Sequence, residues 1–202
     1  MKPLYLFAHI SRTGGDSFIS LLKESLSEDE LYIPPHEGAL KKSPLLRVIA
    51  GHHVNRALCE QFPDRDCRFI TFLRDPVKRM ISDYNFRATH YQESRPIQQW
   101  AESGFKNYMT FWLSFHFLGR NGATISEEDW AAVMTVLRSF WYVGTTENWD
   151  RDCSFVCSHI GVPFKSIHTH ETETSKVFSA EQLEALNTLD RRLFDAWKGA
   201  HV

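Results

Sequence analysis

The sequence predicts a single α/β domain over residues 1–202, with a central, mostly parallel sheet flanked by helices. Short apolar, strand-like runs alternate with segments in which apolar residues recur at helical spacing. Polar loops follow several of these strands, and neither a long linker nor an internal repeat divides the chain. Because ligands of such sheets bind beyond the carboxyl ends of the strands, these loops are expected to face one crevice.

The first strand and the first helix enclose a short loop that contains two adjacent glycines. Residues 4–8 are apolar, and the helix is predicted from the spacing of Phe18, Ile19, Leu21, Leu22 and Leu26. In the loop 11–17, glycine amides and the helix N-terminus attract anions, and Arg12, Thr13 and Ser17 add a charge and hydroxyl donors. The segment therefore predicts an anion site, although its composition is also typical of an ordinary turn between a strand and a helix.

Two further strands are predicted in the first half of the chain. Residues 45–50 form one, followed by Gly51, His52 and His53, and 54–62 form a short helix. Residues 68–73 form the next strand, which is apolar nearly throughout, as expected of a buried parallel strand. Arg74, Asp75 and Pro76 end it, and a helix begins at Val77 with proline in its first turn.

The second half continues the alternation. Residues 86–104 are predicted to be a loop with a helical piece, and the aromatic-rich segment 105–118 is predicted to pack in the core. A helix is expected over 126–136, a fourth strand over 140–144, a helix over 149–159, a polar loop over 165–176 and a final helix over 179–197.

Composition excludes several classes of function. The formal net charge of -2 argues against broad nucleic-acid binding, which needs a strongly basic face. No apolar run approaches the roughly 20 residues of a membrane span. The four cysteines and the histidines of the polar loop 165–176 match no standard metal-ligand spacing, so no metal is expected. This cysteine usage favours a reducing, cytoplasmic location.

Two loops together resemble a known pair of motifs. The segment 11–17, SRTGGDS, resembles the 5′-phosphosulfate loop PKTGGTS of sulfotransferases, and 73–84 resembles their 3′-phosphate motif LRDPVxRxxSxY. Residues 143–147 and the pair Gly51-His52 resemble the carbohydrate sulfotransferase branch that includes heparan sulfate 2-O-sulfotransferases. The chain is thus identified as a member of this family, with its P-loop-like sulfotransferase fold.

The resemblance implies transfer of a sulfuryl group from 3′-phosphoadenosine 5′-phosphosulfate (PAPS) to an acceptor hydroxyl, on a glycan or a small molecule. It implies that His52 is the catalytic base and that Arg12 stabilises the leaving phosphate, without a metal. It implies that Arg74 and Ser82 bind the 3′-phosphate. The residues implied to bind the 5′-phosphosulfate are Arg12, Thr13, Gly14, Gly15, Asp16 and Ser17. The sequence does not indicate an oligomeric state or the identity of the acceptor.

Two departures from the family pattern bear on activity. Arg12 stands where family members usually carry lysine, and arginine keeps the charge but does not easily release a proton. Asp16 replaces a small hydroxyl residue, so its carboxylate is expected to cap the helix or to pair with Arg12. His53 and Glu37 remain rivals of His52 as the base.

Two other classes of protein stay open. One is a nucleotide-binding module with impaired catalysis, which the changes at Arg12 and Asp16 would explain. The other is a kinase-like phosphoryl transferase, against which the lack of a GK[ST] ending in the loop 11–17 argues.

Overall fold

The computed structural model describes residues 3–34, 43–104, 106–122, 124–166 and 180–199. The strands are β1 (Leu4–Ala8), β2 (Leu31–Tyr32), β3 (Val48–Gly51), β4 (Cys67–Leu73) and β5 (Tyr142–Thr145). The α-helices are α1 (Gly15–Ser25), α2 (Arg56–Glu60), α3 (Pro76–Tyr91), α4 (Ile97–Ser103), α5 (Tyr108–Leu118), α6 (Glu127–Arg138), α7 (Trp149–Ile160), α8 (Ala180–Ala185) and α9 (Thr188–Trp197). A short 3₁₀ helix, Thr146–Asn148, joins β5 to α7.

The five strands form one parallel sheet in the order β2-β3-β1-β4-β5. The predicted α/β fold class is therefore confirmed. The strand β1 is central, with Ala8 opposite Gly51 of β3 and Phe7 opposite Ile70 of β4. Since parallel strands end on the same edge, the segments that follow β1, β3 and β4 meet above the middle of the sheet.

Alternate side chains of the strands divide the core between the two faces of the sheet. Phe7 and Phe72 point to the face that α1 and α7 cover, where they pack with Phe18, Leu22, Val156 and other apolar side chains. Leu6 and Leu73 point to the opposite face, which α5, α6 and α9 cover. Every residue of β1 is buried, which explains its unbroken apolar sequence.

Four sequence predictions about elements need correction. The sequence does not predict the strand β2, because two residues are too few to show a periodic pattern of apolar side chains. Helix α3 continues to Tyr91, although its last turns are mostly exposed and polar and so lack an apolar stripe. The final helix is two helices that meet at buried Asn187. In the aromatic segment, Trp112 and Phe117 are in the core as predicted, but Phe115 is 45% exposed.

Candidate active site

A cleft of about 320 Å³ opens at the carboxyl ends of β1 and β3. Its walls come from the segment after β1, the start of α1, the end of β3, and the helices α3 and α5. The lining residues are His9, Ser11, Arg12, Asp16, His52, Asp83, Phe86, Arg87, Tyr91 and Tyr108. The fold thus brings Arg12, Asp16 and His52 of the predicted site into one cavity.

The loop 11–17 leads directly into α1. Gly14 has φ 83° and is the N-cap of the helix, and Arg12 also lies in the left-handed region at φ 68°. A Cβ on Gly14 would lie 2.7 Å from the ring of Trp149, so both its conformation and its packing require glycine. Among the described side chains none caps α1. The start of this helix therefore offers backbone donors to an anion.

Two residues of the loop have local roles. Thr13 is fully buried, and its hydroxyl donates a 2.8 Å hydrogen bond to the Ile10 carbonyl. Asp16 does not cap the helix, because the N-cap position belongs to Gly14. Its side chain is 77% exposed, with an oxygen 3.9 Å from Arg12 Nη1, so the pairing alternative is the one observed.

Arg12 connects the two predicted halves of the donor site. Its Nε donates to Ser82 Oγ at 3.2 Å, and its carbonyl accepts from Arg74 Nη1 at 3.1 Å. The guanidinium lies 4.7 Å from the centre of the Phe86 ring, within the range of a cation–π contact. Arg12, which the sequence assigns to the 5′ end of the donor, thus contacts both residues that it assigns to the 3′-phosphate.

Arg74 carries its charge in a partly buried position. Burial lowers the pKa of Arg74, and Arg12 and Arg79 act in the same direction, whereas Glu147 opposes them. Arginine nevertheless stays protonated at any physiological pH, so the positive charges that converge here favour an anionic ligand. Asp75 pairs with Arg191 and not with its neighbour Arg74.

Asp75 is occupied by other partners. Its Oδ1 accepts 3.0 Å hydrogen bonds from the Val77 and Lys78 amides as the N-cap of α3, and its Oδ2 accepts from Arg191 at 2.8 Å. Burial on its own would raise the pKa of Asp75, but the hydrogen bonds from Lys78 and Arg191 outweigh it and lower that pKa. The Arg74 guanidinium instead donates to the Arg12 carbonyl.

His52 follows Gly51 at the end of β3, and its ring lines the cleft. Its Nδ1 lies 2.7 Å from the His9 carbonyl oxygen, and the two imidazole rings stack with centroids 4.1 Å apart. Since a carbonyl only accepts, Nδ1 carries the hydrogen and Nε2 keeps its lone pair. That tautomer suits a base.

The rivals of His52 lie elsewhere or outside the described part of the chain. The His53 ring faces α5, with its centroid 6.4 Å from that of His116. Burial, together with His53 and His52, lowers the pKa of His116 to about 4. Glu37, His168 and His170 lie outside the described residues.

Sequence reasoning missed His9. It lines the cleft but is only 2% exposed, and burial, together with His52 and Arg12, lowers its pKa to about 3. The signal was available, because His9 lies two residues after Phe7 and must share the α1 face of the sheet. The predicted strand ends at Ala8, one residue short of His9.

The described residues contain neither a candidate metal site nor a candidate membrane-spanning helix. No group of three or more histidine, cysteine or acidic side chains in these ranges could hold a metal ion. No helix there is long and apolar enough to cross a membrane.

The sequence matches the sulfotransferase domain family over residues 19–142, more than half of the chain. The chain belongs to the sulfotransferase family. It is a PAPS-dependent sulfotransferase, an enzyme that transfers a sulfuryl group from PAPS to an acceptor. The matched span includes His52, Arg74 and Ser82 and begins just after the loop 11–17.

A solved structure agrees with this fold. The sulfotransferase resembles a sulfotransferase from Alicyclobacillus acidocaldarius with a TM-score of 0.56 and 15% identity, over 97% of this chain and 95% of that one. It also resembles mouse sulfotransferase SULT7A1 complexed with PAP, with a TM-score of 0.43 and 10% identity, over 82% of this chain. The aligned part spans 61% of the mouse chain. No curated protein matches the sequence.

Proposed function

We propose that this sulfotransferase sulfates a hydroxyl of a carbohydrate, with His52 as the general base. The observation that carries the proposal is the hydrogen bond of His52 Nδ1 to the His9 carbonyl, which leaves Nε2 with its lone pair in a ring that lines the cleft. Arg12 lines the same cleft, so a base and a cation flank one cavity. Sulfuryl transfer needs this pair of groups.

The donor supplies an activated sulfuryl group, and the residues present fit its anionic ends. Arg12 and the first-turn amides of α1 would hold the phosphosulfate, and Arg74 with Ser82 would hold the 3′-phosphate. The carboxylate of Asp16 is turned largely into solvent, which reduces its repulsion of the donor. Burial removes water from the Arg74 guanidinium, which lowers its pKa, and an anionic phosphate beside it would restore the stabilisation that water no longer provides.

The chemistry assigned to the chain is proton removal and charge stabilisation. His52 Nε2 takes the proton of the acceptor hydroxyl as that oxygen forms a bond to sulfur. The bond from sulfur to the bridging oxygen breaks, and that oxygen keeps the electron pair. Arg12 and the α1 amides stabilise the charge that develops on it. Arginine acts here through its charge, because it stays protonated.

The walls of the cleft favour a sugar as the acceptor. Phe86, Tyr91 and Tyr108 offer aromatic faces and a hydroxyl. Asp83 and Arg87, which pair with each other at 3.1 Å, add a carboxylate acceptor and a guanidinium donor. Sugar rings present apolar C–H faces together with many hydroxyls, so a cavity with aromatic and polar walls suits them. This extends the resemblance to the carbohydrate branch of the family.

A screen of acceptors with radiolabelled PAPS and the purified protein tests the proposal. Labelled sulfate should appear on a saccharide, with release of 3′,5′-adenosine bisphosphate. Nucleotide binding without turnover on any acceptor would favour the impaired binding module, and transfer from ATP that requires magnesium would favour the kinase-like alternative. Transfer only to phenols or protein tyrosines would contradict the carbohydrate assignment.

We further propose a cytoplasmic location. All four cysteines are free thiols, and a reducing compartment keeps them so.

A further inference from the structure

His9 is a buried imidazole that the proposed mechanism does not use. Its side chain is 2% exposed, and among the described residues its Nε2 has no hydrogen-bond partner. A buried polar atom without a partner is disfavoured relative to an apolar side chain of the same shape. The position of this ring therefore calls for a reason other than hydrogen bonding.

The register of the sheet places His9 beside His52. Ala8 is opposite Gly51, so the next residues of the two strands are neighbours, and the His9 amide donates to the Gly51 carbonyl at 3.2 Å. The planes of the two imidazoles differ by 22°, with the centroids 4.1 Å apart. The His9 ring faces the His52 ring directly.

The His9 ring is fixed from two other sides. The Phe7 ring is nearly parallel to it, at 16° and 5.9 Å, so Phe7, His9 and His52 form a stack that rises from the core to the cleft. A Cβ on Gly15 would lie 1.9 Å from His9 Cδ2, so glycine at the start of α1 leaves the space that this ring fills. His52, by contrast, is exposed, and it depends on contacts such as this stack for its orientation.

We propose that His9 is a positioning residue, whose ring holds the plane of His52 and stabilises the imidazolium that forms when His52 takes the acceptor proton. This inference rests on the proposed role of His52 as the base. A neutral aromatic face attracts a cation placed over it, and here the His9 ring of the pair is buried. Burial keeps His9 itself uncharged, so the two rings do not repel each other when His52 is protonated.

Substitutions at His9 distinguish the contribution of its aromatic ring from that of its ring nitrogens. His9→Phe keeps a flat aromatic ring, whereas His9→Leu and His9→Met fill the space without one. We expect kcat to fall about tenfold in the Leu and Met variants, a loss of about 1.4 kcal/mol. In His9→Phe the fall should be within about threefold, since the stack survives. The dissociation constant for 3′,5′-adenosine bisphosphate should change less than about twofold in all three, because the buried His9 ring is not among the residues assigned to the donor.

His159→Leu is the matched control. His159 also contacts an aromatic ring, that of Phe155 with the centroids 4.3 Å apart, but it lies on an exposed part of α7 away from the cleft. Its replacement should leave kcat unchanged. Melting temperature and nucleotide affinity identify any variant that fails to fold. If either His9→Leu or His9→Met fails to fold, the other one serves for the comparison.

A double-mutant cycle shows whether His9 acts through His52. In a His52→Ala background, His9→Leu should lower kcat no further, because the residue that it positions is gone. Equal losses in the two backgrounds would overturn the proposal, as would a loss in His9→Phe as large as that in His9→Leu. If His52→Ala itself leaves kcat intact, the proposed base is wrong. If His52→Ala is impaired but His9→Leu is not, only the present inference fails.

Discussion

Asp16 places a negative charge beside the arginine that is expected to contact the donor. Its carboxylate lies 3.9 Å from Arg12 and is mostly in solvent, so the pair is weak, in the range of about 0–1 kcal/mol. The sequence showed the conflict between Asp16 and an anionic donor but not its resolution. The direction of an exposed side chain depends on neighbours from other elements.

Removing this charge should strengthen donor binding. We expect Asp16→Asn to lower the KM for PAPS about two- to fivefold at low salt, because the energy of an exposed pair is small. The gain should shrink as salt screens the charge. Asp64→Asn, at the opposite end of the sheet, is the control and should have no effect. A higher KM in Asp16→Asn would indicate that the carboxylate serves the site by orienting Arg12.

Arg74 is expected to bind the 3′-phosphate. Arg74→Ala should weaken binding of 3′,5′-adenosine bisphosphate at least tenfold, about 1.4 kcal/mol, as measured by calorimetry. Binding of 5′-AMP, which lacks that phosphate, should change much less. Arg138→Ala, at the exposed end of α6, is the control. Equal losses for both nucleotides would place Arg74 elsewhere in the site.

The helices α5 and α9 cap each other at their starts. Asp190 accepts hydrogen bonds from the amides of Met109 and Thr110, each at 2.8 Å, and from the Thr110 hydroxyl at 2.7 Å. In return, Asn107 Oδ1 accepts from the Leu189 and Asp190 amides at 2.9 and 3.2 Å. Because α5 begins at Tyr108, this exchange fixes one wall of the cleft.

Loss of the Asp190 cap should therefore destabilise the fold. Asp190→Ala leaves three buried donors without a partner, and we expect the free energy of unfolding to fall by about 3 kcal/mol in urea titrations. Asp195→Ala, which removes an exposed carboxylate from the same helix, should cost less than about 1 kcal/mol. Similar losses in both variants would show that the cap contributes little.

The alternation of elements and the loops at the strand ends were predictable, because each rests on local apolar spacing or on glycine and proline. The break between α8 and α9 at Asn187 was not predictable. It depends on the burial of Asn187 between the two helices and on the 2.8 Å hydrogen bond from its side chain to the Leu183 carbonyl. Likewise, the bond of Arg12 to Ser82 joins residues 70 positions apart, and no local pattern reports it.

Across the whole molecule, buried neutral histidines link stability to pH. The pKa of His9 is lowered from 6.5 to about 3, so between these values the unfolded chain binds a proton that the folded protein does not. Stability should therefore fall as pH drops below 6.5, with a slope from His9 of about 1.4 kcal/mol per pH unit. His116, lowered to about 4, acts in the same direction.

Urea titrations from pH 7 to pH 4.5 test this linkage. The free energy of unfolding should fall less steeply in His9→Phe than in the wild type, because phenylalanine does not titrate. The difference between the two curves isolates His9 from all other groups. Parallel curves would mean that folding does not lower the pKa of His9.

The arrangement of the site makes His52 the base and leaves His53 outside the cleft lining. The most direct measurement is kcat for His52→Ala and His53→Ala with the same acceptor, together with the affinity for 3′,5′-adenosine bisphosphate. We predict that His52→Ala lowers kcat by about 10²–10⁴, the range for loss of a general base, with nucleotide affinity nearly unchanged. His53→Ala should be mild. A kcat for His52→Ala within a few-fold of the wild type, or a larger loss in His53→Ala, would contradict the assignment.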